Sequence, residues 1–331
     1  MKQNIKKEID YLIKLTDKIG IIEHCQIDKP DYNEGYCTDD NTRALQVCLR
    51  LKNQYPVLED VLPIYFNFLK LAIKNEGLYN DLNPDFSWQN KFEIKGEHYG
   101  RSLAALAEMG DKYLFDQIYK SFDEKKSTYV RVSAQIILGL QYYRQNEIKF
   151  WADSLIEQYL NEKTDSWRWF EPFISYDIGR IPLALLTAYQ ITKNNKYLDV
   201  ALESLDFLTE LIFNKKLDCF SFPGNKGWFT KSGLRNIFDQ QPIEAGSVTE
   251  AYSLAYQITK NKDYRDLALK SFAWYSGKNI LKANMIDAKT GGIYDGFSEE
   301  KINYNQGAES VLSYLLAFTA IKKITPTGPL K

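Results

Sequence analysis

Carboxylates recur in this chain where helices should begin. Asp39 and Asp40 follow Thr38, Tyr176 and Asp177 precede Gly179 and Arg180, Glu244 follows Gln240-Gln241-Pro242, and Glu309 follows Gln306-Gly307. Acidic groups are favoured at such places because they cap free N–H groups and meet the positive end of the helix dipole. Capping accounts for any one of them. It accounts poorly for the set, which lies beside aromatic loops and beside Arg101 and Arg180. Carboxylates and amides bind sugar hydroxyls, and aromatic faces cover the apolar side of a sugar ring. Cleavage of a glycosidic bond needs two carboxyl groups across the scissile oxygen, one as acid and the other as base or nucleophile.

The candidates for that pair are Asp39, Asp40, Glu171, Glu244 and Glu309. Asp39 and Asp40 are adjacent, so one should point inward while the other caps or orients. Glu171 lies in the stretch SWRWFEPFISYD between two aromatics, where loss of solvent could keep a carboxyl group protonated. Glu244 and Glu309 each follow a turn that aims a helix at a common mouth. Around them, His98, Arg101, Tyr176, Asp177, Arg180, Gln240 and Gln241 are expected to bind substrate, with Trp169 and Trp228 at the wall. Six helix starts around one mouth set facing carboxyl groups wide apart, the spacing of an inverting enzyme.

Other chemistries find little support. Two histidines, His24 and His98, are too few for a histidine zinc site or a twin-histidine proton shuttle. Cys25, Cys37, Cys48 and Cys219 have no CxxC spacing and read as buried neutral thiols. No GxSxG, P-loop or dinucleotide fingerprint occurs, so neither cofactor nor metal is expected. With 42 basic and 43 acidic residues the formal charge is −1, which argues against nucleic acid and anionic membrane as partners. The N-terminal stretch is broken by Lys and Asp, and no run is apolar enough for a membrane span, so a cytoplasmic location is expected.

The elements that would carry these residues are helical. AYQITKN occurs at 188–194 and again at 255–261, an offset of 67, and at that offset Tyr197 falls on Tyr264 and Asp177 on Glu244. Gly179-Arg180 recurs as Gly100-Arg101, which sets His98 level with Asp177. Periodicity predicts helices near 3–19, 41–54, 58–75, 98–109, 113–121, 129–145, 147–161, 179–193, 197–213, 242–260, 262–277 and 307–323. In each pair one member is apolar nearly all round (RIPLALLTAYQI) and the other alternates apolar with charged residues (LDVALESLDFL). These suit an inner and an outer ring. The expectation is an all-α (α/α)6 toroid of six hairpins spanning 1–331 as one domain. Short pieces such as GLYND and GGIYDGF are expected to pair locally in the loops. An open solenoid would have uniform short loops, whereas 161–178, 214–241 and 279–306 are long and unequal.

The stretch from Glu34 to Leu45, EGYCTDDNTRAL, resembles the GYCTDDNARAL signature of (α/α)6-toroid proteins in the six-hairpin glycosidase-like superfamily, with Thr42 in place of the usual Ala. Some of these occur fused to glycosyltransferases. The similarity continues at Gly100–Leu103, Trp169–Glu171 with Tyr176-Asp177, Phe238–Glu244 and Gly307–Ser310, nearly the whole chain. It implies a carbohydrate-active toroid acting on an oligosaccharide or glycan, alone or with a glycosyltransferase partner. The adjacent aspartates are similar to those of retaining endo-mannanases of the same superfamily. Glycoside hydrolysis is the leading expectation; the alternatives are a carbohydrate-binding or scaffolding toroid and an epimerase or phosphorylase on the same fold.

Overall fold

A computed structural model describes residues 4–74, 77–89, 96–122 and 129–325. Among the described residues there are twelve α-helices: α1 (Lys6–Lys14), α2 (Thr38–Leu51), α3 (Leu58–Ala72), α4 (Glu97–Met109), α5 (Lys112–Ser121), α6 (Val130–Leu140), α7 (Ile148–Glu162), α8 (Arg180–Thr192), α9 (Asn195–Ile212), α10 (Pro242–Thr259), α11 (Lys262–Phe272) and α12 (Ala308–Ile324). The even-numbered helices pack side by side in the order α2, α4, α6, α8, α10, α12 and back to α2, so the inner ring is closed. Their odd-numbered partners lie outside, and α1 closes the circle by packing on α12. The chain is an all-α (α/α)6 toroid, not an open solenoid.

Burial explains the division of the helices. In α6 every residue from Val132 to Leu140 is buried, as a helix walled in on all sides requires. In α7 the buried set includes Ile148, Trp151, Ala152, Leu155, Ile156 and Tyr159, a single stripe at three- and four-residue spacing.

The repeated heptad has a local cause as well. Thr192 and Thr259 donate back to the carbonyls of Ala188 and Ala255 at 2.8 Å, closing the inner helix. Lys193 and Lys260 then take a left-handed backbone, φ 58° and 59°. Asn194 and Asn261 follow as N-caps, accepting from Lys196 N at 3.1 Å and Asp263 N at 3.0 Å. ITKN thus encodes the end of an inner helix, the turn, and the start of the outer one.

Every predicted helix is present, with shifted ends. α1 stops at Lys14, because the following turn is held by Asp17 Oδ1, which accepts from Ile19 N at 2.7 Å. α2 begins three residues early, so Asp39 and Asp40 lie in its first turn. α6 ends at Leu140, ahead of Arg144 with φ 56°. The loop pieces do pair: Gly77–Leu78 with Ile73–Lys74, Asp81–Leu82 with Tyr36–Cys37, and Gly296–Phe297 with Ile302–Asn303. Among the described residues no helix is long and apolar enough to cross a membrane. All four cysteines are free and buried.

Gly100 and Gly179, aligned by the Gly-Arg repeat, sit where neighbouring inner helices nearly touch. A Cβ on Gly100 would come within 2.3 Å of the Gln135 backbone in α6, and one on Gly179 within 2.2 Å of Ser247 in α10. Replacing either by Ala should therefore force the helices apart and cost about 1–3 kcal/mol. Urea midpoints of Gly100→Ala and Gly179→Ala equal to the parent's would show that the ring is looser than this.

Candidate active site at the mouth of the toroid

Because the inner helices run parallel, their N-termini share one end of the ring. The first turns of α2, α4, α10 and α12 carry Asp39 and Asp40, Glu97, Glu244 and Glu309, and the loop entering α8 carries Asp177. The positive dipole ends suit this crowd of carboxylates, and buried arginines neutralise it.

Arg101 is the hub. It donates to Asp39 Oδ2 at 2.9 Å, Glu97 Oε2 at 2.8 Å and Asp177 Oδ2 at 3.1 Å. Asp177 takes a second guanidinium, the Nε of Arg180 at 3.0 Å, and Arg180 in turn reaches Glu250 at 2.8 Å. Arg43 holds Asp40 at 2.8 Å and lies 3.4 Å from Glu309. Arg131 bonds Glu97 at 3.0 Å and Ser175 Oγ at 2.8 Å, stands 3.9 Å from Glu171, and covers the Tyr176 ring at 5.0 Å. Glu244 accepts the backbone N–H groups of Asp177 at 2.9 Å and Ile178 at 3.2 Å. The two residues that the repeat aligns are thus bonded neighbours.

These partners divide the carboxyl groups. Burial works against ionisation of Asp39, but Arg101, Arg43 and His98 together hold it below the ordinary value. Asp177 is likewise buried and likewise held low, by Arg180, Arg101 and Arg43. Glu309 goes the other way: burial raises it, Arg43 opposes, and Asp40 adds repulsion, leaving it at about 7. Burial beside Asp177 pushes Glu244 up to about 8 despite its two N–H bonds. Burial also raises Glu171 against the pull of Arg131, and raises Asp40 against that of Arg43. Asp39 Oδ1 is buried and accepts no hydrogen bond, and the Glu309 side chain is 39% exposed to the mouth.

The other sequence candidates divide. Arg101, Asp177, Arg180 and Tyr176 lie in the network just described, and Gln241 is the N-cap of α10. His98 is buried there too, its Nε2 3.2 Å from the Leu78 carbonyl, and burial lowers its pKa so that it stays neutral near pH 7. Trp169 is not at the wall: it is fully buried, packed edge-on against Phe170. Gln240 is also turned inward, donating to Ser221 Oγ and the Ile237 carbonyl and accepting from Trp274. Trp228 is 36% exposed but stacks on Phe173, at a ring distance of 5.5 Å.

Sequence reasoning missed Glu97, Arg131, Glu250 and Glu23. Glu23 sits against the start of α12, where its carbonyl accepts Ala308 N at 2.9 Å, and burial plus the charge of Asp40 push its carboxyl up to about 8. Its loop has no periodic signal to mark it. Glu97 could have been found, lying four residues before Arg101 on one helix face. Beside the mouth, the segments around 225–241 and 295–304 enclose a groove of about 1130 Å³ that includes Gln241, Asp295 and Tyr304. Glu23, Cys37 and Asp40 place ligand atoms within 4.8 Å of one another, but the arginine on Asp40 and a thiol held protonated by burial do not suit a cation.

The folded chain was compared with known proteins. No family model and no curated protein matches the sequence. Solved structures do match the fold. A D-mannose isomerase aligns with a TM-score of 0.74 over 97% of this chain and 96% of its own, at 12% identity. A cellobiose 2-epimerase from Bacillus thermoamylovorans aligns at 0.72 over 97% of both chains, at 12% identity. An alpha-amylase from Clostridium perfringens aligns at 0.63 over 97% of this chain and 99% of its own, at 14% identity. The chain has the six-hairpin toroid fold that these enzymes have. At such identities the likeness is one of architecture.

Arg101→Met should cost about 3–5 kcal/mol, because it takes away the guanidinium that Asp39 bonds and leaves Glu97 and Asp177 with Arg131 and Arg180 alone. Arg101→Lys should recover only part of this, since one ammonium cannot meet three carboxylates as a planar fork does. Guanidinium chloride titrations read both; a loss under about 1 kcal/mol for the methionine variant would mean the hub is dispensable.

Proposed function

We propose that this chain is a carbohydrate-active enzyme that hydrolyses a glycosidic bond at the mouth of the toroid, with Glu309 as the acid and Asp39 as its carboxylate partner. One arrangement carries the reading: on adjacent inner helices Asp39 is bonded by Arg101 at 2.9 Å, which favours its ionised form, while Glu309 opens to the mouth 3.4 Å from Arg43 and is raised to about 7. Two carboxyl groups whose surroundings push their pKa values apart are an acid and a base at the same pH. Glu309 gives its proton to the leaving oxygen, and Asp39 activates water or attacks the anomeric carbon. Glu171, also raised and 3.9 Å from Arg131, is the reserve acid across the ring. Arg43 supports the assignment by bonding Asp40 and approaching Glu309 without fully neutralising it.

A sugar isomerase or epimerase is the second reading, favoured by the higher TM-scores of the mannose isomerase and the cellobiose epimerase. That chemistry removes a proton beside a carbonyl and returns one. Here Glu309 and Glu23, raised to about 7 and 8, would serve in place of a second histidine at the mouth.

Incubating the protein in D2O with manno-, gluco- and galacto-oligosaccharides separates the two. Hydrolysis releases new reducing ends and leaves the C2 hydrogen in place, whereas epimerisation exchanges the C2 hydrogen for deuterium and leaves every glycosidic bond intact. On the hydrolysed substrate, activity should hold from below the ordinary aspartate range up to about 7 and fall above it as Glu309 ionises. Glu309→Gln and Asp39→Asn should each cost roughly 10²-fold or more in kcat. Near-native turnover in both variants would remove the pair from the mechanism, and saturable sugar binding without turnover of any substrate would make the toroid a binding module.

A further inference from the structure

On the other side of the charged layer, the ring encloses a second polar cavity, which the mouth does not use. It holds about 240 Å³ and opens at the C-terminal ends of the inner helices, past the exposed Gln190, Tyr142 and Lys323. Its floor is made by Arg43, Arg101 and Arg180, the same guanidiniums whose outer edges hold the mouth carboxylates. Halfway down, every inner helix contributes one residue at the same depth: Gln46, Ala104, Gln135, Thr187, Ser253 and Thr319, each five or six residues before its helix ends. The ring is amide and hydroxyl, with one small alanine.

Two of these six leave a buried polar atom unpaired. Gln135 is 4% exposed and its Nε2 has no hydrogen-bond partner; Ser253 is 1% exposed and its Oγ has none. Buried polar groups rarely stay unpaired, because burial removes their water partners without replacing them. The hydroxyls of Thr187 and Thr319 already give their protons to the carbonyls of Leu183, at 2.9 Å, and Leu316, at 2.7 Å. They have lone pairs to offer but no proton. At the rim, Gln141 and Gln257 each spend one amide N–H on the carbonyls of Leu138 and Ser253, which leaves each a second N–H to donate and an amide oxygen to accept.

The wall therefore asks for a ligand that donates and accepts at once. An anion would meet the lone pairs of Thr187 and Thr319 and the amide oxygens of the rim. A cation would meet the guanidinium floor, Arg50 and Lys323. A neutral hydroxyl-rich molecule satisfies both sets. The volume takes about eight waters at ~30 Å³ each, or one sugar ring in their place, and lies below the ~300–1,000 Å³ of drug-sized sites. We infer that this axial cavity is a second carbohydrate site, distinct from the mouth and sized for a single monosaccharide. The two sites share a wall of arginines.

The test uses the full chain carrying Asp39→Asn to silence the mouth, with D-glucose, D-mannose and D-galactose as probes in saturation-transfer NMR and calorimetry. At least one hexose should bind saturably. Ser253→Leu, which fills the cavity, should weaken that binding tenfold or more, and Thr187→Val, which removes one oxygen at constant volume, should weaken it severalfold. Circular dichroism verifies that both variants are folded; should Ser253→Leu not fold, Thr187→Val decides. On the Asp39 background, Ser253→Leu should leave turnover at the mouth intact, so the inference stands or falls apart from the proposed hydrolysis. Hexose affinity unchanged by either cavity substitution, no saturation by any of the three sugars, or displacement of the sugar by inorganic phosphate would overturn it.

Discussion

A buried guanidinium held by three carboxylates is the constraint on which the rest of this molecule depends. A closed ring of six parallel helices leaves an axis that side chains must fill. An apolar plug would fill it well, but here Arg43, Arg101 and Arg180 close it together with Asp39, Asp40, Asp177 and Glu250. Taking such charges out of water costs several kcal/mol per ion, and only good geometry and complete pairing offset that. This is why the helix starts need their particular residues: Asp39 and Glu309 each meet their own helix dipole and an arginine from a neighbouring helix, and Asp40 meets Arg43 of its own. The layer also fixes the spacing of the ring, because Arg101 reaches from α4 to the start of α2 and to the loop before α8.

The same layer sorts the carboxyl groups chemically. Asp39 and Asp177 take direct guanidinium bonds and stay ionised in spite of burial. Glu309 has only a longer contact with Arg43 and feels Asp40, so burial prevails. Distance to one guanidinium does not decide it alone: Asp40, 2.8 Å from Arg43, is raised as well, because burial and the neighbouring Asp39 charge outweigh that arginine. Two aspects of a site, an ionised group and a protonatable one, thereby follow from unequal sharing of few arginines among many acids.

What was legible in the sequence was what is periodic. Twelve helices, the inner and outer assignment, and the level of Asp177 with Glu244 all follow from repeats of 3.6 and 67 residues, and the structure joins those two residues by a hydrogen bond. The Gly-Arg pair was legible as a repeat, but that its glycine lies at a helix contact came only from the structure. Direction in irregular segments was not legible. Trp169 and Gln240 lie in loops rich in site-like residues, yet their side chains turn into the core because a tryptophan and a buried amide found partners there. Glu23 was invisible for the opposite reason: nothing around it repeats, and only the fold sets it against the start of α12. Asp39 and Asp40 were equal candidates in the sequence, and each meets its own arginine: Asp40 bonds Arg43 of the same helix, and Asp39 bonds Arg101 of the next.

The arginine layer also bears on how many reactions such a ring can support. Its carboxylates are positioned by helix starts and its charges are balanced within the ring, so the loops above the mouth are free to vary without unbalancing the core. Here those loops are long and unequal, and one pair of them makes the groove beside α10 and α12. An isomerase, an epimerase and an amylase share this architecture at 12–14% identity. That is intelligible if the ring supplies only a frame of paired charges, with the choice between protonating a leaving oxygen and moving a proton on carbon left to two or three groups at the rim. On the function proposed for this chain those groups would be Glu309, Asp39 and Glu23, and the reaction would be set by which of them a sugar met at its anomeric oxygen or its C2 hydrogen, a selection made by the loops rather than by the helices.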